Sequence, residues 1–265
     1  MKKYYLLGLI SFILFSCTTS NQEDYPLDSK DLKSTIHRIN EQSKECDLPN
    51  QKGCAQLEVS YPKISIEGEK SNEKLLNSLN DSIYAIFVQP FIDFIPEESL
   101  KKNATISQLK AAFFKKHTID QKKNKERMGY QLINDVSVPF IADEFASIQQ
   151  KQMTYAGGAH PDTEILYFTL DLKSGKLLNT YNWIQDTNIV KVELLKVLKK
   201  QVNMDEAMDL EDYGFFISDR DFFLTNNILI EKDSISFAYN SYELAPYSFG
   251  IFDLKLPRNA VTLVH

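Results

Sequence analysis

The sequence predicts an α+β fold of antiparallel sheets with about three helices, arranged in two subdomains. Apolar residues recur every three or four positions in three separate stretches and alternate with polar ones through most of the remainder. The two patterns never settle into a regular strand–helix–strand rhythm, which argues against a parallel α/β architecture. Of 265 residues, 43% are hydrophobic and 25% charged, the balance of a folded chain. Nine Gly and nine Pro exclude collagen-like or Pro-rich designs. Thirty Lys and Arg against 36 Asp and Glu give a formal charge of −6. That is the wrong sign for displacing counterions from phosphates, so no nucleic-acid partner is expected.

Residues 1–17 read MKKYYLLGLISFILFSC. Lys2 and Lys3 supply a positive start, and the apolar stretch from Tyr4 to Phe15 has signal-peptide length. It is short of the roughly 20 apolar residues that cross a bilayer. Leu14-Phe15-Ser16-Cys17 resembles the bacterial lipobox, with bulky Phe15 as a departure. The resemblance implies cleavage before Cys17 and acylation of that residue, and several acyl chains anchor durably. An uncleaved N-terminal helix is the alternative. Residues 1–16 are set aside as a lipoprotein signal peptide, and loss of Lys2 and Lys3 takes the charge from −6 to −8. An acidic globule is not drawn to anionic headgroups, so the lipid is the expected link to the membrane. Thr18 after the cysteine resembles outer-membrane sorting, and Ser20-Asn21-Gln22-Glu23-Asp24 resembles the surface-export signal of some Bacteroidota lipoproteins. The expected location is the bacterial envelope, outside the cytoplasm, on the periplasmic or outer face of the outer membrane.

Residues 17–55 read as a tether. Setting Cys17 aside leaves Cys46 and Cys54, an even pair for an oxidising compartment. Pro49 and Gly53 let the intervening segment turn back on itself. A structural disulfide is the expectation; a redox pair, disfavoured because the spacing is not C-x-x-C, and two free thiols are the alternatives.

Residues 56–141 form the first expected subdomain. A strand spans Leu57 to Ile66, with Pro62 marking an edge or bulge. Asn72 precedes Leu75, Leu76, Leu79, Ile83, Ile86 and Phe87, an amphipathic helix expected to stop at Gln89-Pro90. A second helix fits Thr105 to about Glu126, with a Thr105/Gln108 capping box and a stripe of Leu109, Ala112 and Phe113. Its basic end, from Lys115 to Arg127, reads as a solvated helix terminus or as an attraction for an anionic partner. Tyr130, Leu132, Val136, Val138 and Phe140 follow period two.

Residues 142–265 form the second. Strands are expected over Ile148 to Tyr155, Thr163 to Leu172 and Leu177 to Tyr181, the last two joined by a turn in which Gly175 takes positive φ. A third helix covers Asn188 to Val202, with Ile189, Val192, Leu195, Leu198 and Val202 on one side. Strands at Phe222 to Leu224, Ile228 to Ile230, Ser234 to Tyr239 and Ile251 to Leu256 complete the pattern.

Two segments carry a family resemblance. Tyr155-Ala156-Gly157-Gly158-Ala159-His160-Pro161 and Tyr239-Asn240-Ser241-Tyr242-Glu243-Leu244-Ala245-Pro246-Tyr247 together resemble the extracytoplasmic domain shared by RsiV-type anti-sigma factors and PdaC-type peptidoglycan deacetylases, domain of unknown function 3298. Through Tyr61-Pro62-Lys63-Ile64 and the helix after it, the stretch from Leu57 to Ile141 resembles the region that precedes that domain. The resemblance implies an α+β envelope module. In RsiV-type proteins this region senses lysozyme; in PdaC-type proteins catalysis belongs to a separate deacetylase domain. The chain ends at His265 without room for that domain, and it lacks a sigma-binding segment and a full transmembrane helix.

The candidate binding residues are therefore Gly157, Gly158, His160, Asp162, Tyr242, Glu243 and Tyr247. The glycines suit a tight turn or a binding loop. His160, Asp162 and Glu164 alternate, so an extended chain would project them to one face. Imidazole with two carboxylates suits a divalent metal, but Pro161 disturbs the strand and no second His lies nearby, so no metal is expected. Tyr242 and Tyr247 suit sugar rings, or a rigid loop whose hydroxyls cap backbone groups. No G-x-S-x-G, H-E-x-x-H, P-loop or Rossmann signature occurs, so neither catalytic residues nor a cofactor are expected. The reading is a non-catalytic envelope module for a cell-wall glycan or a protein such as lysozyme. The alternatives are a glycan hydrolase or deacetylase-like enzyme using His160, Asp162 and Glu243, and a purely structural lipoprotein.

Overall fold

The computed structural model describes residues 31–48, 52–66, 72–95, 100–123 and 129–264. Cys17, the signal peptide and residues 124–127 of the basic run lie outside the described residues. Among the described residues no helix is long and apolar enough to cross a membrane.

A six-stranded sheet built between Leu32 and Leu178 has the order β1-β2-β3-β4-β5-β6. β1 (Leu32–Gln42) pairs antiparallel with β2 (Ala55–Ile66) along its whole length. This corrects the expectation of a tether through residue 55. The segment is too polar to read as a strand, yet backbone pairing to β2 suffices at a sheet edge, where charged side chains are tolerated. Cys46 and Cys54 are disulfide-bonded where the two strands meet. Pro62 lies just past Ser60, the last β2 residue paired to the next strand, so its missing N–H costs that pairing nothing.

β2 leads through α1 (Glu73–Phe94) and α2 (Ile106–Lys123) to β3 (Tyr130–Ile141). β2 and β3 are parallel, a departure from all-antiparallel sheets that follows from the two-helix crossover between them. Asn72 accepts from the Leu75 N–H at 3.0 Å. Thr105 and Gln108 form the expected box, with the Thr105 N–H donating to Gln108 Oε1 at 2.8 Å. Leu79, Ile83, Ile86 and Phe87 of α1, with Leu109 and Phe113 of α2, bury against Leu57, Leu132 and Ile148 of the sheet.

α1 does not stop at Pro90 but continues to Phe94. Proline removes the N–H that would bond the Ile86 carbonyl and crowds that turn. The sheet replaces the donor: Gln150 Nε2 donates to Ile86 O at 3.0 Å, and Asn134 Nδ2 to Phe87 O at 2.9 Å. Gln150 also donates to Asn134 Oδ1 at 2.9 Å, so a buried amide pair beneath the helix absorbs the break.

β4 (Phe145–Tyr155), β5 (Asp162–Asp171) and the short β6 (Leu177–Leu178) complete the sheet. Gly175 turns β5 into β6 at φ +69°. Ile141 ends β3 and Ala142 begins its connection to β4 within this one sheet, and the buried clusters change over between Leu172 and Ile184.

The second core is built from α3 (Thr187–Gln201), the one-turn α4 (Leu210–Tyr213) and an antiparallel sheet of β7 (Ile228–Ile230), β8 (Ser234–Tyr239) and β9 (Phe252–Pro257). α3 buries Val190, Leu194 and Leu198, while Ile189 and Val192 are 57% and 53% exposed. The sequence carries two apolar stripes, and the i, i+4, i+8 stripe is the one that packs. Phe222 to Leu224 is irregular rather than a strand; Phe222 and Leu224 are nonetheless buried, and the Phe223 carbonyl accepts from Tyr239 Oη at 2.8 Å.

The two cores meet along β5. Beyond its short pairing with β6, that strand's edge would expose bare amides. Asn240 Oδ1 accepts from the Ile165 N–H at 2.8 Å and its Nδ2 donates to Ile165 O at 3.1 Å. Asn227 accepts from the Tyr167 N–H at 2.7 Å. Two asparagine side chains thus take the place of a seventh strand.

Candidate functional site

The turn between β4 and β5 holds Gly157 at φ +89° and Gly158 at φ +118°. Nothing lies within 4 Å of a Cβ built on Gly158, so glycine is required there by backbone conformation, not by crowding. Tyr155 Oη donates to Gly158 O at 3.1 Å and closes the turn.

His160 follows. Its Nδ1 lies 3.0 Å from Pro161 O, and a carbonyl can only accept, so Nδ1 carries the proton. The remaining nitrogen, Nε2, accepts from Tyr242 Oη at 3.2 Å. The imidazole stacks on Tyr247 with ring centroids 3.6 Å apart and planes at 16°. Tyr247 Oη donates to Pro161 O at 3.1 Å. The two motifs, some eighty residues apart, therefore close on each other.

Tyr242 sits at φ +71° and is 56% exposed. A non-glycine residue in that region costs about 1–3 kcal/mol and persists where its surroundings over-determine it. Here the Asn240 N–H donates to Glu243 Oε2 at 3.1 Å and the Glu243 N–H to Asn240 O at 3.1 Å, locking the turn on both sides. The result is a surface of one imidazole and two phenol rings.

Asp162 and Glu164 look elsewhere. With Gln152 and Thr154, their cross-strand partners on β4, they line a groove between α1 and the sheet. One stretch of about 230 Å³ is lined by Pro90, Asp93, Phe94 and those four residues. It shares Pro90, Asp93, Gln152 and Glu164 with a second stretch of about 300 Å³ floored by Ile86, Leu166 and Phe168. Burial, then the charges of Asp162 and Asp93, push Glu164 above the ordinary carboxylate range. Glu243 is raised by burial and then by Glu164, which places the two motifs and the groove within one electrostatic neighbourhood.

His160, Asp162 and Glu243 do not converge on one cavity. Asp162 lines the groove, His160 is committed to the tyrosines, and Glu243 is turned to its own backbone. Among the described residues no group of three or more His, Cys, Asp or Glu is placed to hold a metal ion. Asp93 and Gln152 were not foreseen. The alternation of β4 would have put Gln152 beside Glu164 once the register was known, but nothing local announces that the end of α1 reaches them.

Residues 48–163 match the family model described as deacetylase PdaC, and residues 186–259 match a protein of unknown function, DUF3298. The chain carries both domains. The glycine turn with His160 lies in the PdaC region, and Tyr242 and Tyr247 lie in the DUF3298 region, so the ring cluster is formed between them. The chain is similar in fold to solved structures, among them the following two. A DUF3298 family member from Bacteroides fragilis aligns with TM-score 0.60 and 18% identity, covering 88% of this chain and 94% of its own. A DUF3298 family protein from Pseudomonas aeruginosa aligns with TM-score 0.57 and 14% identity, covering 88% and 96%. No curated protein matches the sequence.

Proposed function

We propose that this protein is a lipid-anchored, non-catalytic binding module of the bacterial cell envelope, and that His160, Tyr242 and Tyr247 receive a cell-wall glycan. The carrying observation is the exposed ring cluster itself. Aromatic rings with polar edges present flat apolar faces together with hydrogen-bonding groups, the combination a pyranose needs. Its construction from both domains, at the cost of a strained Tyr242, supports a recognition role over simple packing. The lipobox at Cys17 supplies the anchor.

Pull-down on purified peptidoglycan and calorimetry with soluble glycan fragments test the reading. Tyr242→Ala, which removes an exposed ring without opening a core, is expected to weaken binding about fivefold to tenfold, in line with roughly 1–1.5 kcal/mol for an aromatic contact. Glycan binding unchanged in Tyr242→Ala and Tyr247→Ala would refute it. Labelling with radioactive palmitate, lost in Cys17→Ala, tests the anchor. A second reading, a basic protein such as lysozyme, is favoured by the net charge of −6. Its signature is affinity that falls steeply between low and physiological salt, whereas a stacked neutral sugar is insensitive to salt.

A further inference from the structure

The loop that carries Tyr242 and Tyr247 is flanked by a second aromatic segment, residues 213–216, where the chain leaves α4. The two run alongside each other at two points. The Phe216 N–H donates to Leu244 O at 2.8 Å, and the Tyr213 ring meets Phe249 edge-on with centroids 6.3 Å apart. Leu244 lies two residues past Tyr242, a span of at most about 7 Å, so Phe216 stands beside the ring cluster. Phe215 turns inward and packs on Phe249 and Phe252 with centroids 5.2 and 5.5 Å apart. Its neighbour Phe216 is left 57% exposed, and Tyr213 is 38% exposed.

Scattered apolar side chains on a surface need no explanation, whereas a contiguous patch marks an interaction site. Tyr213, Phe216 and Tyr242 are exposed rings on two adjoining segments, which is a patch. The segment is also braced. Tyr213 Oη donates to Val202 O at 2.8 Å, and Asp209 Oδ2 accepts from the Asp219 N–H at 3.2 Å. Buried Lys199 bonds two carbonyls ahead of α4 and the Asp219 carboxylate after it. A ring displayed on a turn held this way loses little freedom when it meets a ligand.

We propose that Phe216, rimmed by Tyr213, is a second aromatic subsite, and that the ligand is a run of several linked sugars, not a single one. The inference rests on the glycan reading of the ring cluster and extends it. One sugar of the chain covers Tyr242 and Tyr247, and a sugar further along covers Phe216. A phenyl ring offers a flat apolar face without a hydrogen-bonding edge. The subsite therefore adds affinity with chain length and leaves the choice of sugar to the cluster.

Calorimetry on the full chain with peptidoglycan glycan fragments of two and six sugars tests this. The longer fragment is expected to bind about tenfold more tightly. Phe216→Ser should weaken the longer fragment about fivefold to tenfold, the scale of one aromatic contact, and leave the shorter one unchanged. Phe216→Trp keeps a flat ring and should retain the gain with length; Phe216→Leu is apolar without a flat face and should lose it. That contrast holds whatever Phe216→Ser does to folding. Equal affinity for the two lengths, or a gain that survives Phe216→Ser or Phe216→Leu, would overturn the subsite. Tyr242→Ala would still weaken the two-sugar fragment in that case, so the ring cluster's own reading stands apart. Binding of neither length would overturn both.

Discussion

Lys199 is 4% exposed, and its ammonium group is fully used. It donates to Glu206 O at 3.0 Å, Met208 O at 2.7 Å and Asp219 Oδ2 at 2.5 Å, tying α3 to the segments on both sides of α4. Lys199→Met is expected to cost about 3 kcal/mol in urea unfolding, the low end for a broken buried pair because Asp219 is one-third open to water. Gly175 is as exacting for a different reason. At φ +69° an added Cβ would also run into the Ser78 side chain and meet the Leu79 N at 3.0 Å. Gly175→Ala should therefore destabilise by at least about 2 kcal/mol, more than the 1–2 expected from left-handed strain alone. The need for glycine there was legible from Lys173-Ser174-Gly175-Lys176. The helix leaning on it was not, because Ser78 and Gly175 are neighbours only in space. The same limit applies to the site: both motifs could be read as residues, but the hydrogen bond from Tyr242 to His160 is a fact of tertiary contact.

Elements whose signals are local matched their expected form. The Asn72 cap, the Thr105/Gln108 box and the strands of β3 to β5 are set by side chains within a few residues. Elements that depend on a distant partner escaped notice. β1 is a strand because β2 lies beside it, and α1 runs through Pro90 because Gln150 waits across the sheet. The second case can be checked: Gln150→Met keeps the volume but leaves Ile86 O and Asn134 Oδ1 without this donor. A loss of about 2 kcal/mol is expected by thermal or urea unfolding, together with faster amide exchange at the end of α1. The Cys46–Cys54 loop offers a comparable test. His117 Nε2 donates to Gly53 O at 2.8 Å, docking the loop on α2. Reduction, or the Cys46→Ser/Cys54→Ser pair, should lower stability by about 2–3 kcal/mol on the chain-entropy model for so short a loop.

At the scale of the molecule, the asparagine clamp on β5 couples the two cores. Asn227→Ala/Asn240→Ala is expected to turn one cooperative calorimetric transition into two, since each core then unfolds without the other. Acid titration gives a second whole-molecule test. Burial and then neighbouring carboxylates raise Glu164 and Glu243, so their ionised forms penalise the folded chain. That penalty stands well above their folded values and is relieved as pH falls toward the unfolded value of about 4.3. Glu231 behaves oppositely: Lys255 holds it below the ordinary range, so its stabilisation is lost only as pH falls through that lowered value. As pH falls from neutral, stability should first rise, while Glu164 and Glu243 take up protons, and then fall below the ordinary carboxylate range as Glu231 is protonated, and Glu164→Gln should flatten the rise. The antiparallel β1–β2 hairpin has a mechanical consequence. Leu32 pairs with Ile66 at the open end and Gln42 with Gln56 at the closed one. Tension on the chain ahead of Leu32 would unzip β1 one rung at a time, a low-force process. It would then halt at the covalent crosslink between Cys46 and Cys54, which passes the load to the foot of β2 and spares both cores.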